Sequence, residues 1–277
     1  MFENYINNEL NIYYSKINNS KIRSILQYSL EGGKCIRGFI VKHIMEKIGK
    51  KIIWQPIASI ELIHGISLII DDLPCMDNDL IRRNKPSTFV KFGEKESILV
   101  SFYGISEAFK ILFEGINNNK DIFPEDIYNK VQELLEYWNE EIGKNLIIGQ
   151  MLDLCMDVEE LLNINIAKDK KNIMLYKTVS LFSFSFILGG IFSSIDNIID
   201  FKKMGYLFGI MFQLMDDYKD MDTDENSANY FLQNGKKESI ELYLNCKLQL
   251  LNLLEKYNLY TEEFKMLINK MDETINI

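Results

Sequence analysis

Two short acidic strings stand out for what they could bind. The first, Asp71-Asp72-Leu73-Pro74-Cys75-Met76-Asp77-Asn78-Asp79, closes the apolar run ELIHGISLII. The second, Gln213-Leu214-Met215-Asp216-Asp217-Tyr218-Lys219-Asp220, closes the apolar run YLFGIMF. Each places carboxylates at the C-terminal end of an apolar helical stretch, where the helix dipole disfavours negative charge. Helix capping therefore does not account for them. Asp216 and Asp220 are four apart and Gln213 is three before Asp216, so all three share a helical face. A face of carboxylate oxygens suits a hard divalent cation. Asp71 and Asp77 are six apart, which an unbroken helix puts on different faces, and Pro74 between them can break the helix and re-aim Asp77. Taken singly, either string also fits a solvated helix end. Two such strings, far apart in sequence, point to metal, because like-charged clusters repel unless a cation neutralises them.

Cations accompany the acids. Lys34 and Arg37, in Gly32-Gly33-Lys34-Cys35-Ile36-Arg37, stand three apart at a predicted helix start. Backbone N–H groups and the positive end of the dipole favour an anion there. Arg82-Arg83-Asn84-Lys85-Pro86 follows the first acidic string, and the planar arginine fork matches phosphate bidentately. Lys177-Thr178 opens a stretch, TVSLFSFSFILGGIFSSI, that carries no charge after its lysine. His64, seven before Asp71, lies about two turns away on the same face. It fits a phosphate contact and a satisfied core histidine equally. Each basic pair alone reads as solvated surface. Together they suggest acids with metal for one phosphate group and metal-free cations for a second.

The elements that must position these residues are helices. Only Pro56, Pro74, Pro86 and Pro124 interrupt 277 residues rich in Leu, Ile, Lys and Glu, which favours long helices over a β-rich fold. The periodicity predicts helices over 22–30, 35–48, 55–72, 94–113, 127–156, 171–193, 198–221 and 239–256, with Pro56 in a first turn. Turns are expected at 117–120 and 222–235. No repeat or linker splits the chain, so a single domain, 1–277, is expected. A net charge of −9 excludes a nucleic-acid partner, and it requires any anionic phosphate to be neutralised locally. Cys35, Cys75, Cys155 and Cys246 form no CxxC pair and read as reduced thiols of a cytoplasmic protein. Residues 1–10 lack the basic and apolar regions of a secretory signal. The charge-free stretch 178–195 approaches spanning length, but its serines and Gly189-Gly190 favour a buried central helix. An integral membrane protein is not expected.

Assembled in order, these pieces make the chain resemble the trans-isoprenyl diphosphate synthase family, above all its short-chain farnesyl and geranylgeranyl members. The matching pieces are GGKCIR, ELIHGISLIIDDLPCMDNDLIRRNKPS, FGE at 92–94, IIGQMLDL at 147–154, Lys177-Thr178, and FQLMDDYKD at 212–220. DDLPCMD followed by two arginines is the most specific of them. The resemblance implies an all-α fold, a single-domain helical bundle of the isoprenoid synthase type with a deep central cavity, acting as a homodimer. It implies a transferase that condenses isopentenyl diphosphate with a C5–C15 allylic diphosphate to give a C15–C20 product. Carried onto this chain, it gives Asp71, Asp72, Asp77, Asp216, Asp217 and Asp220 to several Mg²⁺ ions around the allylic diphosphate. Arg82, Lys177, Thr178 and Gln213 would flank that group and assist its departure. Lys34, Arg37, His64 and Arg83 would hold isopentenyl diphosphate, and Gln150 and Asp153 match a GQxxD element near the site. Ile66 and Ser67, five and four before Asp71, match the chain-length positions. Neither is aromatic, which favours the C20 product over C15.

Departures from the family pattern motivate a second reading. Gly38 stands where a proline is usual, Phe89 and Val90 replace a His-Lys pair, and SFYG at 101–104 lacks a usual Gly-Asp. The stretch TDENSANY after the second motif has no lysine, and Lys236 and Lys237 come later. A non-catalytic subunit of a heteromeric synthase would explain such losses, although the six motif aspartates argue against it. A class I terpene cyclase would carry an Asn/Ser/Glu metal motif in place of the second acidic string, so DDYKD and GGKCIR disfavour it.

Overall fold

The computed structural model describes residues 2–123, 127–154, 176–221 and 229–277. They are helical almost throughout, as the composition requires. In order come α1 (Phe2–Ser15), α2 (Ser20–Leu30), α3 (Ile36–Ile48) and α4 (Trp54–Asp71). A two-stranded antiparallel hairpin, β1 (Ile81–Arg82) and β2 (Lys85–Pro86), follows. Then come α5 (Thr88–Phe92), α6 (Glu94–Asn117), α7 (Ile127–Trp138), a π-helical segment (Asn139–Leu146) and α8 (Ile147–Leu154). After the next described residue, Tyr176, the helices are α9 (Tyr176–Phe192), α10 (Ile198–Asp220), α11 (Tyr230–Lys256) and α12 (Glu262–Ile275).

The chain divides into two compact units, Met1–Val131 with Phe192–Ser194, and Gln132–Ile191 with Ile195–Ile277. In the first, α4 is the centre. Ile57, Ile60, Leu62, Ile63, Ile66 and Ile69 are all buried, and a helix apolar on every side belongs in a core. Helix α6 lies along it: the Ser59 hydroxyl donates to Ala108 O at 2.8 Å, and Ile66 occupies the space that Gly104 leaves by having no side chain. In the second unit α9 is the centre, buried from Val179 to Ile191. Phe182 meets Phe208 at 5.0 Å, Phe184 meets Trp138 at 5.9 Å, and Phe186 meets Phe264 at 6.2 Å between ring centres. Helices α11 and α12 are clasped by Asp272, which accepts from Tyr243 Oη at 3.0 Å and Lys247 Nζ at 2.7 Å.

The structure refines the expected elements. The predicted helix 127–156 is interrupted by the π segment, and residues 155 and 156 lie outside the described residues. The predicted helix 171–193 is described from Tyr176 onward. The helix expected at 239–256 begins instead at Tyr230, because Asn229 caps it by accepting from Phe231 N and Leu232 N. It then breaks at Gly235 (φ 80°, ψ 159°) and resumes. Helices α1, α5 and α12 and the hairpin lie outside the predicted spans. No described helix is long and apolar enough to cross a membrane.

Candidate active site

The first acidic string begins where α4 runs out. Asp72 N still bonds Leu68 O at 3.1 Å, and then the chain turns. Leu73 N reaches Ile70 O at 3.1 Å, and Met76 N reaches Leu73 O at 2.9 Å. Asp77 N closes the turn on Asp71 O at 2.9 Å, with Asn78 in the left-handed region (φ 54°). A six-residue separation thus becomes a direct backbone contact. Asp71 and Asp72 are buried and Asp77 is exposed.

Asp72 is committed to the protein. Its Oδ1 accepts from Arg82 Nε at 2.8 Å and from Nη2 at 2.5 Å, while the same Nη2 reaches Asp79 at 2.7 Å. Burial lifts the Asp72 carboxyl above its usual range, aided by the like charges of Asp79 and Asp77 and opposed by Arg82. Arg82 ends β1, and the two-residue turn after it, Arg83-Asn84, has both residues at positive φ (53° and 60°). That is the twist a tight hairpin demands. Arg83 Nη1 then caps the C-terminal end of α2, donating to Ser29 O, Leu30 O and Glu31 O at 3.2, 3.0 and 3.2 Å. These are the carbonyls a helix end leaves without partners, and the dipole favours a cation beside them. Lys85 joins from β2, bonding Glu31 Oε2 at 3.0 Å.

Arg83 brings the hairpin to the Gly32-Gly33 turn: a Cβ on Gly33 would stand 3.1 Å from Arg83 Nη2. Lys34 is exposed one residue before Cys35, the N-cap of α3, which makes no side-chain cap bond. Arg37, in the first turn of α3, meets His64 of α4, with 3.1 Å from Nη1 to Nε2. Of the two positions expected to set chain length, Ile66 is turned into the core against α6, whereas Ser67 is partly exposed with its hydroxyl on His64 O at 2.9 Å.

In the second unit, Thr178 Oγ1 donates to Gln213 Oε1 at 2.5 Å and Gln213 Nε2 donates to Asp217 Oδ1 at 2.8 Å. Tyr230 N, at the start of α11, donates to Asp217 Oδ2 at 2.9 Å, and Asn229 Nδ2 reaches Asp217 O at 2.7 Å. A buried carboxylate at a helix N-terminus is favourably placed by the dipole. Gln213, expected on the Asp216–Asp220 face, therefore turns to Asp217. Asp216 pairs with Lys219 at 3.2 Å, and Asp220 is exposed. Lys236 does not reach that face: its Nζ lies 3.4 Å from Tyr218 Oη, and Tyr218 stands about 200° round the helix from Asp216.

Lys177 is set by backbone packing. Gly149 of α8 lies so close to α9 that a Cβ there would overlap Lys177 N and come within 2.7 Å of Lys177 Cα. The neighbouring Gln150 has both amide atoms buried with no partner among the described residues. The side chain of Asp153 lies outside the described residues. Sequence motifs alone did not single out Asp79, Gly149, Lys219 or Asn229. Asn229 does carry a cap signal, an Asn directly ahead of an apolar-periodic run.

Among the described residues, no three carboxylate, imidazole or thiol groups gather closely enough to hold a metal by themselves. The donors are nonetheless all oxygen. Mg²⁺ suits such a set, since it is usually held by about one or two carboxylates and fills its other positions with water and phosphate oxygen.

The sequence model of the polyprenyl synthetase family matches residues 19–237. The chain is 34% identical over 206 residues to the heterodimeric geranylgeranyl pyrophosphate synthase large subunit 1 of Arabidopsis thaliana, covering 73% of this chain and 54% of that protein. It thus spans about half that relative's length. It is 32% identical over 287 residues to the farnesyl diphosphate synthase of Buchnera aphidicola, covering 96% of this chain and 93% of that protein. The crystal structure of an isoprenoid synthase family member from Thermotoga neapolitana superposes with a TM-score of 0.79 at 26% identity, covering 97% of this chain and 98% of the other. The geranyltransferase of Helicobacter pylori, solved with magnesium and isoprenyl diphosphate, shares the fold (TM-score 0.72, 23% identity, 98% and 97% covered).

Proposed function

The chain belongs to the polyprenyl synthetase family, and on that footing we propose that it is a short-chain trans-prenyltransferase, condensing isopentenyl diphosphate with a C5–C15 allylic diphosphate to a C15–C20 product. One observation carries this reading. Each acidic string ends an apolar helix with its middle acid held by the protein, Asp72 by Arg82 and Asp217 by Gln213 and Tyr230 N. Asp71, Asp72, Asp77, Asp216, Asp217 and Asp220 are the residues that would hold Mg²⁺, with Asp72 and Asp217 fixed in place by those bonds. When bound, Mg²⁺ neutralises the charge that builds on the departing diphosphate.

The chain's own residues supply the rest. Arg82, Lys177, Thr178 and Gln213 orient the allylic diphosphate and stabilise its growing charge as the C–O bond breaks and both electrons leave with the diphosphate. Lys34, Arg37, His64 and Arg83 fix the diphosphate of isopentenyl diphosphate, so that its alkene attacks the allylic cation and forms the new C–C bond. A proton is then lost to the released diphosphate. Apolar side chains around the reacting carbons exclude water from the cation. With Ser67 the partly exposed residue of the chain-length pair, the reading favours C20, with C15 second. The two units are read as parts of one polyprenyl synthetase domain, 1–277, and the chain as a homodimer.

Product analysis of the purified protein with isopentenyl diphosphate, each of the C5, C10 and C15 allylic diphosphates, and Mg²⁺ tests the proposal. A C15 or C20 product that disappears with EDTA, and with Asp71→Ala or Asp216→Ala, is expected. No product from folded protein with any primer would overturn the stand-alone enzyme and favour a subunit of a heteromeric synthase.

A further inference from the structure

Lys219 is not among the expected site residues, yet it is the charged neighbour of one of them. Between Lys203 and Lys236 the sequence carries one cation, Lys219, against six acids: Asp216, Asp217, Asp220, Asp222, Asp224 and Glu225. In the last turn of α10, Lys219 Nζ lies 3.2 Å from Asp216 Oδ1. Successive helical residues turn by about 100°, so Lys219 stands about 60° to one side of Asp216 and Asp220 about 40° to the other. The lysine thus borders the face that Asp216 and Asp220 share, while Asp217 is tied to the start of α11. A comparison with the first string shows how firm the pair is. Arg82 gives Asp72 two bonds, and Asp72 is 2% exposed. Lys219 gives Asp216 one, and their side chains are 44% and 39% exposed. A single exposed contact shifts an equilibrium by no more than about fivefold, so a divalent cation can take the carboxylate from it.

We propose that Lys219 is a diphosphate-binding residue kept at hand by Asp216: a cation that takes the carboxylate releases the ammonium, which passes to the phosphate oxygens on the same ion. This rests on the reading of Asp216 as a residue for Mg²⁺. Neighbouring ligands of an octahedral Mg²⁺, each at about 2.1 Å from the ion, stand about 3 Å apart. A phosphate oxygen on that ion would therefore lie beside the carboxylate oxygen that Lys219 already reaches. The flexible four-carbon stem of lysine covers such a step by turning its last bonds. The transfer also couples the two ligands. Metal alone must displace the ammonium and leave it without its acid, whereas metal with diphosphate gives it a new partner. Each ligand then raises the affinity of the other by the same factor, and Lys219 is the source of part of that factor.

The test compares Lys219→Met and Lys219→Arg with the unaltered protein in two titrations. Electron paramagnetic resonance of free Mn²⁺, standing in for Mg²⁺, reads metal binding with no diphosphate present. Calorimetry at saturating Mg²⁺ reads the binding of inorganic diphosphate. Lys219→Met should bind Mn²⁺ about two- to fivefold more tightly, because no ammonium competes for Asp216. The same variant should bind diphosphate about tenfold more weakly, the scale of one charge-assisted bond. Lys219→Arg, which still donates to phosphate, should keep diphosphate affinity within about threefold. The opposite signs are the signature, since a lysine that only steadied the helix end would change unfolding and neither affinity. Unchanged diphosphate affinity in Lys219→Met would overturn the proposal, and so would unchanged or weaker Mn²⁺ binding. If the unaltered protein binds no diphosphate even with Mg²⁺, the proposed function falls and takes this inference with it. If it forms product while Lys219→Met shows unaltered affinities, the inference alone falls.

Discussion

Adjacent aspartates in this chain do different physical work. Asp217 is buried and held by two hydrogen bonds, whereas Asp216 is partly exposed beside Lys219. Asp217→Asn should therefore lower stability by about 1–3 kcal/mol, the cost of disturbing buried charged bonds. Asp216→Asn should stay within about 0.5 kcal/mol while product formation falls about a hundredfold or more. Urea unfolding and product assays on both variants check the contrast. His64 sets a pH dependence. Its folded pKa of about 4 lies below the unfolded value of about 6.5, so the unfolded chain takes up the proton first as pH falls. This contribution is intact above about pH 6.5 and is lost towards pH 4, up to about 2–3 kcal/mol. Unfolding free energies at several pH values should show that slope, and His64→Gln should remove it. Much of this was legible in the residues: the acids, arginines and Lys177-Thr178 are visible as strings. Their division of labour was not, because Asp72 finds Arg82 ten residues away only once the turn closes.

At the scale of elements, packing fixes what motifs cannot. Gly149 admits the backbone of Lys177 from a helix 28 positions later, a proximity that no local pattern encodes. Gly149→Ala should push α8 and α9 apart, costing about 1–3 kcal/mol. Turnover should fall about a hundredfold if Lys177 moves by about 1 Å. The check is kcat in a variant whose helical circular dichroism is unchanged. Conservative volume at that position makes no difference to the sequence pattern, which reads as helix either way. Helices α1 and α12 do carry a signal. Ile6, Leu10 and Tyr14 recur every four residues, and Phe264, Ile268, Met271 and Ile275 follow a helical stripe, all of them buried. Asparagines in α1 dilute the first pattern, and both helices are far in sequence from the strings they meet in space, α1 through Asn7 at Cys35 and the end of α12 through Asn276 at Tyr218. The π segment was illegible because it keeps the helical apolar period while changing the bond partners of the backbone.

For the whole molecule, composition and periodicity were enough for the all-α class, since few prolines and long apolar stripes leave little else. Association is less visible in the sequence and clearer in the exposed side chains. Leu99 and Phe102 of α6 are 67% and 70% exposed, one turn apart, with Ile98 beside them at 41%. Such an apolar patch on a helix marks an interaction surface, and a second copy fits the homodimer proposed above. Light scattering should find a dimer of 32.5 kDa chains, and Leu99→Glu with Phe102→Glu should convert it to folded monomer. An unchanged mass would reject this face as the interface. The tie between Asp217 and the Asn229–Tyr230 helix start has a different consequence, in hydrogen exchange. The Tyr230 amide opens a helix, where N–H groups ordinarily have no partner within the helix, yet it donates to the buried Asp217 carboxylate. Its deuterium exchange should therefore be slow for a first-turn amide, and it reports directly on whether Asp217 is held.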